Sequence, residues 1–268
     1  MSTPAQYVLG HSDAELRRLI EQAAFFGDLT ADVFRRAQLA PGMSVLDVGC
    51  GVGDVAFLAA SFVDRVHGID RAAEAVKVAR ERAEQAGAQN VTFEVADAAT
   101  YTSSDKFDAI VGRLVLAYQP DPAVFLRHLA SLLRDGGVLA FHECDLSTAS
   151  TKPNVPLFRE VVDLVIETYR RANLEADMGS RLHSAFRAAG LPAPQMIAAA
   201  RVESGADSGA YAAVARVVSS AAPMMERLGV TTMAELGLET LEARLRDEIT
   251  RADAAVFMPI FTGAWTRI

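Results

Sequence analysis

The stretch VLDVGCGVGD, residues 45–54, sets Gly49, Gly51 and Gly53 at alternate positions directly after an apolar, β-branched run. A glycine-rich turn between a strand and a helix brings backbone N–H groups against a ligand, most often a nucleotide phosphate. Here the rhythm is G-x-G-x-G. The place where a dinucleotide fingerprint has its third glycine is taken by Asp54, and Asp47 precedes the turn. Two carboxylates beside the cradle repel a pyrophosphate, although an acid in a first helical turn also complements the helix dipole. Asp70 follows at the spacing of about 20 residues expected of an acid that holds a ribose diol. These residues ask for a ligand with a ribose and no phosphate, and a positively charged centre would suit them better still.

The elements that must position these residues alternate along the chain. Ser12 and Glu15 form a capping box that opens a first helix, with Leu16, Leu19, Ile20 and Ala23 at helical spacing. A second helix is expected from near Thr30 to just before Pro41-Gly42. SVLDVGC then reads as a buried strand, VAFLAASF as a helix and RVHGID as a second strand. RAAEAVKVARERAEQAG reads as a long helix closed by Gly87, and VTFEVAD as a third strand. FDAIVGRLVLAY and GVLAFHECD supply the fourth and fifth strands, separated by a helix, DPAVFLRHLASLLRDGG, that Gly136-Gly137 should stop. Such alternation implies an α/β fold: a doubly wound, mostly parallel sheet with helices on both faces. After Asp145 the pattern turns helical, with Phe158, Val162, Val165 and Tyr169 on one stripe and a further helix ending at Gly190. QMIAAARV and the closing AAVFMPIFTGAW read as strands around a helical stretch, 206–251. The expected organisation is an N-terminal helical cap (1–40), a core (41–150) and a helical lid with terminal strands (151–268).

From the glycine loop through the fifth strand, roughly residues 40–145, the sequence resembles the class I S-adenosylmethionine (SAM)-dependent methyltransferases, whose core is a Rossmann-like sheet. The resemblance implies that Gly49 and Gly51 let the backbone approach the methionine tail, that Asp70 holds the ribose and that Asp97 meets the adenine amino group. Ala98 would offer its N–H to the adenine, and Arg71, where relatives often have an apolar residue, would stack on it through its guanidinium. Asp47, Cys50 and Arg113 complete the implied cofactor set, with S-adenosylhomocysteine as product. Tyr7 and Gln22, in the N-terminal segment, would face the cofactor, the segment folding over the cleft from its own chain or from a neighbour in a homo-oligomer. Catalysis by the family is chiefly positioning. The acceptor should lie beyond the carboxyl ends of the strands, near Arg113, Tyr118 and the end of the fifth strand.

Acid–base work is expected at His142 and Glu143. Glu143 is preferred because an anion near a departing positive charge can accept a proton and stabilise a cation, whereas histidine has the better unperturbed pKa. Side chains alternate across a strand, so both reach the cleft only if the strand ends or bends there. The alternative for Glu143 is a structural carboxylate that hydrogen-bonds a neighbouring loop. His67 is expected to be structural, His128 and His183 exposed, and Met224 and Met225 in the core.

Across 268 residues, 51% hydrophobic, the net charge is −8, which offers no positive field for a nucleic acid. No run reaches the roughly 18 apolar residues of a membrane span, and no secretory leader is read, so a soluble cytoplasmic protein is expected. Cys50 and Cys144 have no paired spacing and read as buried thiols, with no metal site. The fourth strand lacks the Asn/Asp-Pro-Pro-aromatic signature and no Pro-Cys nucleophile is visible. YVLGHSDAELRRLIEQA, GRLVLAYQPDP and HECD are similar to bacterial methyltransferases of small molecules, often in secondary metabolism. The expected acceptor is apolar, aromatic or terpenoid-like; a non-catalytic SAM-binding or nucleotide-sensing protein is the competing reading.

Overall fold

The computed structural model describes residues 26–268. The expected capping-box helix, Tyr7 and Gln22 therefore lie outside the described residues. Helix α1 is described over residues 26–36, so the second expected helix starts earlier than Thr30. Its residue Phe26 stacks on Phe261 with ring centroids 4.2 Å apart. After it come β1 (Ser44–Val48), α2 (Asp54–Ala60), β2 (Arg65–Asp70), α3 (Ala73–Ala86), β3 (Val91–Val95) and β4 (Phe107–Arg113). A single 3-10 turn (Leu116–Tyr118) leads to α4 (Pro122–Ala130), whose N-cap Asp121 accepts from the N–H groups of Ala123 and Val124 and whose Pro122 suits a first helical turn.

The long strand β5 (Leu133–Asp145) follows. Helix α4 stops at Ala130, short of Gly136-Gly137, because those glycines serve the sheet. Leu133 pairs with Phe107, and the C-terminal Ile268 donates its N–H to the Gly137 carbonyl at 3.0 Å. The remaining elements are β6 (Ser150–Lys152), α5 (Pro156–Arg171), α6 (Met178–Ala188), β7 (Gln195–Ala199), β8 (Val202–Glu203), α7 (Ala210–Arg227), α8 (Met233–Leu236), α9 (Leu241–Arg251), β9 (Ala255–Phe257) and β10 (Ile260–Arg267).

The central sheet has the order β3-β2-β1-β4-β5-β10-β7. Strands β1 to β5 are parallel, and β10 runs antiparallel between β5 and β7. Alternation along the strands divides the core. Val45, Ala109, Val111, Val138 and Ala140 share one cluster with residues of α1, α2 and α3. Leu46, Val48, Ile110, Leu139 and Phe141 share the other with α4, α6 and the helices of the roof. The stripe predicted on α5 is buried as expected. The stretch read as one strand at QMIAAARV divides into β7 in the main sheet and β8 in a small sheet, β6-β9-β8, that the sequence did not suggest. The closing strand likewise divides at Pro259, which has no N–H to give to a ladder. No helix among the described residues is long and apolar enough to cross a membrane.

Helix α1 crosses the sheet where β10 presents Gly263: a Cβ there would stand 2.2 Å from Val33 Cγ2. Gly263→Ala is expected to cost about 1 to 3 kcal/mol of stability through overpacking, measured by denaturant titration. Combined with Val33→Ala it should cost less than the two single losses added together, as neighbours in contact do.

Candidate active site

The carboxyl ends of β1, β2, β3 and β4 open onto a cleft of about 340 Å³. Its floor is the glycine loop, where Gly49, Gly51 and Gly53 all take positive φ angles. At Gly49 the close approach is the reason for glycine, since a Cβ would lie 2.7 Å from Val115 Cγ2 on the turn that follows β4. Asp70, at the end of β2, accepts from the N–H of Gly51 on one oxygen (2.9 Å) and from that of Ala72 on the other (2.8 Å). A carboxylate has about four lone-pair positions, so acceptor capacity remains for a diol. Asp97 accepts from the N–H of Ala99 and, with Ala98 and Arg71, lines the far end of the cleft. Cys50 and Arg113 line it as well.

The acids around the loop have different partners. Asp54 is bridged to Arg82 of α3 at 2.8 Å, and Arg82 also donates to the Val52 carbonyl. Asp47 is 1% exposed, and among the described residues neither of its carboxylate oxygens meets a hydrogen bond. Burial pushes its pKa well above the usual carboxylate range, and the Arg113 guanidinium pulls it back. Arg113 is itself buried enough to lower its pKa, countered by Asp54 and Asp47. Its Nη1 donates to Thr30 Oγ1 at 3.2 Å, and that hydroxyl lies 3.1 Å from His142 Nδ1. At its glycine-loop end the cleft thus offers the Arg113 guanidinium, with the buried Asp47 carboxylate just behind the lining, a setting suited to a zwitterionic amino acid and not to a phosphate.

Neither expected base lines the cleft. Strand β5 does not end or bend at His142 and Glu143 but stays paired with β10 as far as Asp145. His142 is held among Thr30, Arg113 and Phe261, and burial, with Arg113 second, lowers its pKa to about 3, so the ring stays neutral at ordinary pH. Glu143 is fully buried on the opposite face, where its Oε1 accepts from the N–H groups of Val115 and Leu116 at 2.8 Å each. Burial raises its pKa to about 7 against those backbone donors. From this strand end it is Cys144 that reaches the cleft. Its thiol is half-buried, not enclosed as the sequence suggested, and burial raises its pKa. Tyr118 lines the cleft too, its hydroxyl 2.7 Å from that of Tyr169 on α5. Tyr169 was read only as part of an apolar stripe, and no local signal marks it otherwise. His67 bonds to Thr92 and Glu94 across the sheet. His128, expected to be exposed, is half-buried with Nε2 3.0 Å from the Tyr101 carbonyl oxygen. Met224 and Met225 are buried in the core.

A second, apolar chamber of about 200 Å³ adjoins the cleft under α5 and α7, with Phe26, Phe158, Met258 and Phe261 among its walls. Cys144, Leu146, Val165 and Val217 belong to the linings of both spaces.

This sheet order, with a glycine loop after β1, an acid ending β2 and an acid after β3, is that of a class I SAM-dependent methyltransferase. A family profile described as a methyltransferase domain matches residues 39–190, more than half of the chain, and the chain belongs to that family. It is 36% identical over 119 residues to the aklanonic acid methyltransferase DauC of Streptomyces sp. strain C5, covering 43% of this chain and 54% of that one. It is 30% identical over 162 residues to the ubiquinone biosynthesis O-methyltransferase of Albidiferax ferrireducens, covering 55% and 64% respectively. The chain spans about half the length of the curated relatives it matches. A SAM-dependent methyltransferase from Geobacter sulfurreducens, solved with S-adenosyl-L-homocysteine, shares the fold with a TM-score of 0.53 and 21% identity over 89% of this chain and 90% of its own.

The raised pKa of Glu143 makes a stability prediction. Its folded value, about 7, exceeds that of an exposed glutamic acid, so its contribution is fully present below about pH 4.5 and is lost as pH rises through 7. Glu143→Gln removes this titration. Relative to the parent, the variant should gain roughly 3 kcal/mol between pH 4.5 and pH 8, read from denaturant titrations across that range.

Proposed function

We propose that this chain transfers a methyl group from SAM to an apolar small molecule, aromatic or terpenoid-like, held in the chamber beneath α5 and α7. The observation that carries this reading is the wall of Cys144, Leu146, Val165 and Val217 common to the polar cleft and the apolar chamber. Along these residues the two spaces adjoin, and the transfer requires the acceptor atom and the methyl carbon to meet directly, with no side chain between them, where they join. SAM, when bound, supplies an electrophilic methyl group on a sulfonium. Arg113 would meet the carboxylate of the methionine tail, and Asp47, just behind the lining, would favour the ammonium through its charge. Asp70 would take the ribose hydroxyls, and Asp97 and the Ala98 N–H would take the adenine edge, with Arg71 against its face. The roof excludes water from the acceptor, and orientation of the two ligands supplies the rate. The names of the relatives, which point to aklanonic acid and to ubiquinone biosynthesis, support an organic small molecule as acceptor.

Removing a carboxylate that accepts from ligand hydroxyl or amino groups leaves those donors unpaired, at about 1 to 3 kcal/mol each. Asp70→Ala and Asp97→Ala should therefore weaken SAM binding by about tenfold or more in a protein that still folds, with Asp70→Ala also lowering the melting temperature because the Gly51 and Ala72 N–H groups lose their acceptor. Wild-type affinity in both by calorimetry, or preference of the parent for NAD, would remove the cofactor assignment. For the acceptor, incubation with methyl-labelled SAM and a panel of phenols, indoles and prenylated compounds, followed by mass spectrometry, should show transfer to at least one class. Tight SAM binding with no transfer to any member would favour the non-catalytic reading.

A further inference from the structure

The turn after β4 is the least relaxed backbone at the cleft. Leu114, a branched residue, has φ 58°, in the left-handed region, and Val115 follows at φ −115° and ψ −41°. A left-handed residue next to a right-handed one makes successive N–H groups converge, which forms a concavity suited to an anion. The acceptor there is the protein's own carboxyl oxygen. Glu143 Oε1 accepts from both the Val115 and the Leu116 N–H at 2.8 Å, while Leu114 donates its N–H to the His142 carbonyl at 3.0 Å. This is strain held in place by surrounding bonds, as is common where a site requires it. The turn so held provides much of the cleft's inner wall. Leu114, Val115, Ala117 and Tyr118 all line the cleft, Val115 bears on Gly49, and Tyr118 is tied through its hydroxyl to Tyr169 on the roof helix α5.

We propose that Glu143 is a positioning residue for methyl transfer: by holding the turn at 114–118 in its strained shape, it sets the spacing between the glycine loop and the acceptor chamber. It acts through two backbone amides and not as a base, since its carboxylate faces no ligand space. The proposal rests on the cleft being the SAM site.

Glutamine keeps an oxygen where Oε1 stands, whereas methionine has nearly the same length and no strong acceptor. Under saturating SAM, Glu143→Gln should keep turnover within about threefold of the parent, and Glu143→Met should lose about a hundredfold, the scale of a misplacement near 1 Å, with a smaller change in acceptor KM. Amide exchange across 114–118, followed by mass spectrometry, should quicken in the methionine variant alone. Equal loss in both variants with exchange unchanged would make Glu143 a base and overturn the proposal; so would parental turnover in Glu143→Met. If Glu143→Met does not fold, Glu143→Gln decides alone: parental turnover supports positioning, and loss with parental exchange overturns it. If no acceptor on the panel reacts, calorimetry takes the place of turnover. Weakened SAM affinity in Glu143→Met with parental affinity in Glu143→Gln supports the proposal, and unchanged affinity in both overturns it. A parent that binds no SAM would remove the cofactor reading, while the exchange rates still decide whether Glu143 anchors the turn.

Discussion

Burying the Asp47 carboxylate costs several kcal/mol unless positive charge offsets it, and the nearby positive charge is Arg113. The placement of much else follows from that electrostatic balance. Arg113 stands at the end of β4 because β4 is the parallel neighbour of β1, so both strands deliver their last residues to the same edge. Its guanidinium is fixed by Thr30, which places α1 over that face, and Thr30 is backed by His142 of β5. A neutral His142 suits this role: a second positive charge beside Arg113 would be repelled, and burial with Arg113 keeps the ring unprotonated. The sheet, the first described helix and the cleft are thus joined by one chain of charge and hydrogen bonding.

The two faces of β5 divide the labour. One face turns His142 toward Arg113 and sends Cys144 into the shared wall; the other buries Glu143 beneath the turn after β4. Nearby, Asp145 caps the following 3-10 turn through the N–H of Ser147 and accepts from the Ser180 hydroxyl of α6. Polar groups at a strand end that would serve equally well in catalysis are here spent mainly on holding loops in place. This leaves the chamber side to apolar residues.

Much of the cleft's lining was legible in the sequence because its signals are local. A glycine rhythm after an apolar run, an acid closing the next strand and an acid after the third each report on a few neighbouring residues, and each lies where those patterns place it. The contacts around the Tyr118–Tyr169 pair and Glu143 were less legible because they are remote in sequence. Nothing near Tyr169 announces a phenol bonded to Tyr118, and nothing near Glu143 announces two amides from the end of another strand. The early stop of α4 was missed because the glycine pair that resembles a helix stop is paired instead with the last residue of the chain. Strands of two or three residues, such as those of the small sheet, are too short to show alternation.

The wall of Cys144, Leu146, Val165 and Val217 belongs at once to a polar cleft and to an apolar chamber. A molecule occupying either space becomes part of the boundary of the other and covers side chains that water would otherwise touch. Binding free energies are linked reciprocally, so whatever factor the first occupant applies to the affinity of the second, the second must apply to the first. Any coupling between occupants of the two spaces would act through these four side chains, and it would need no movement of the fold.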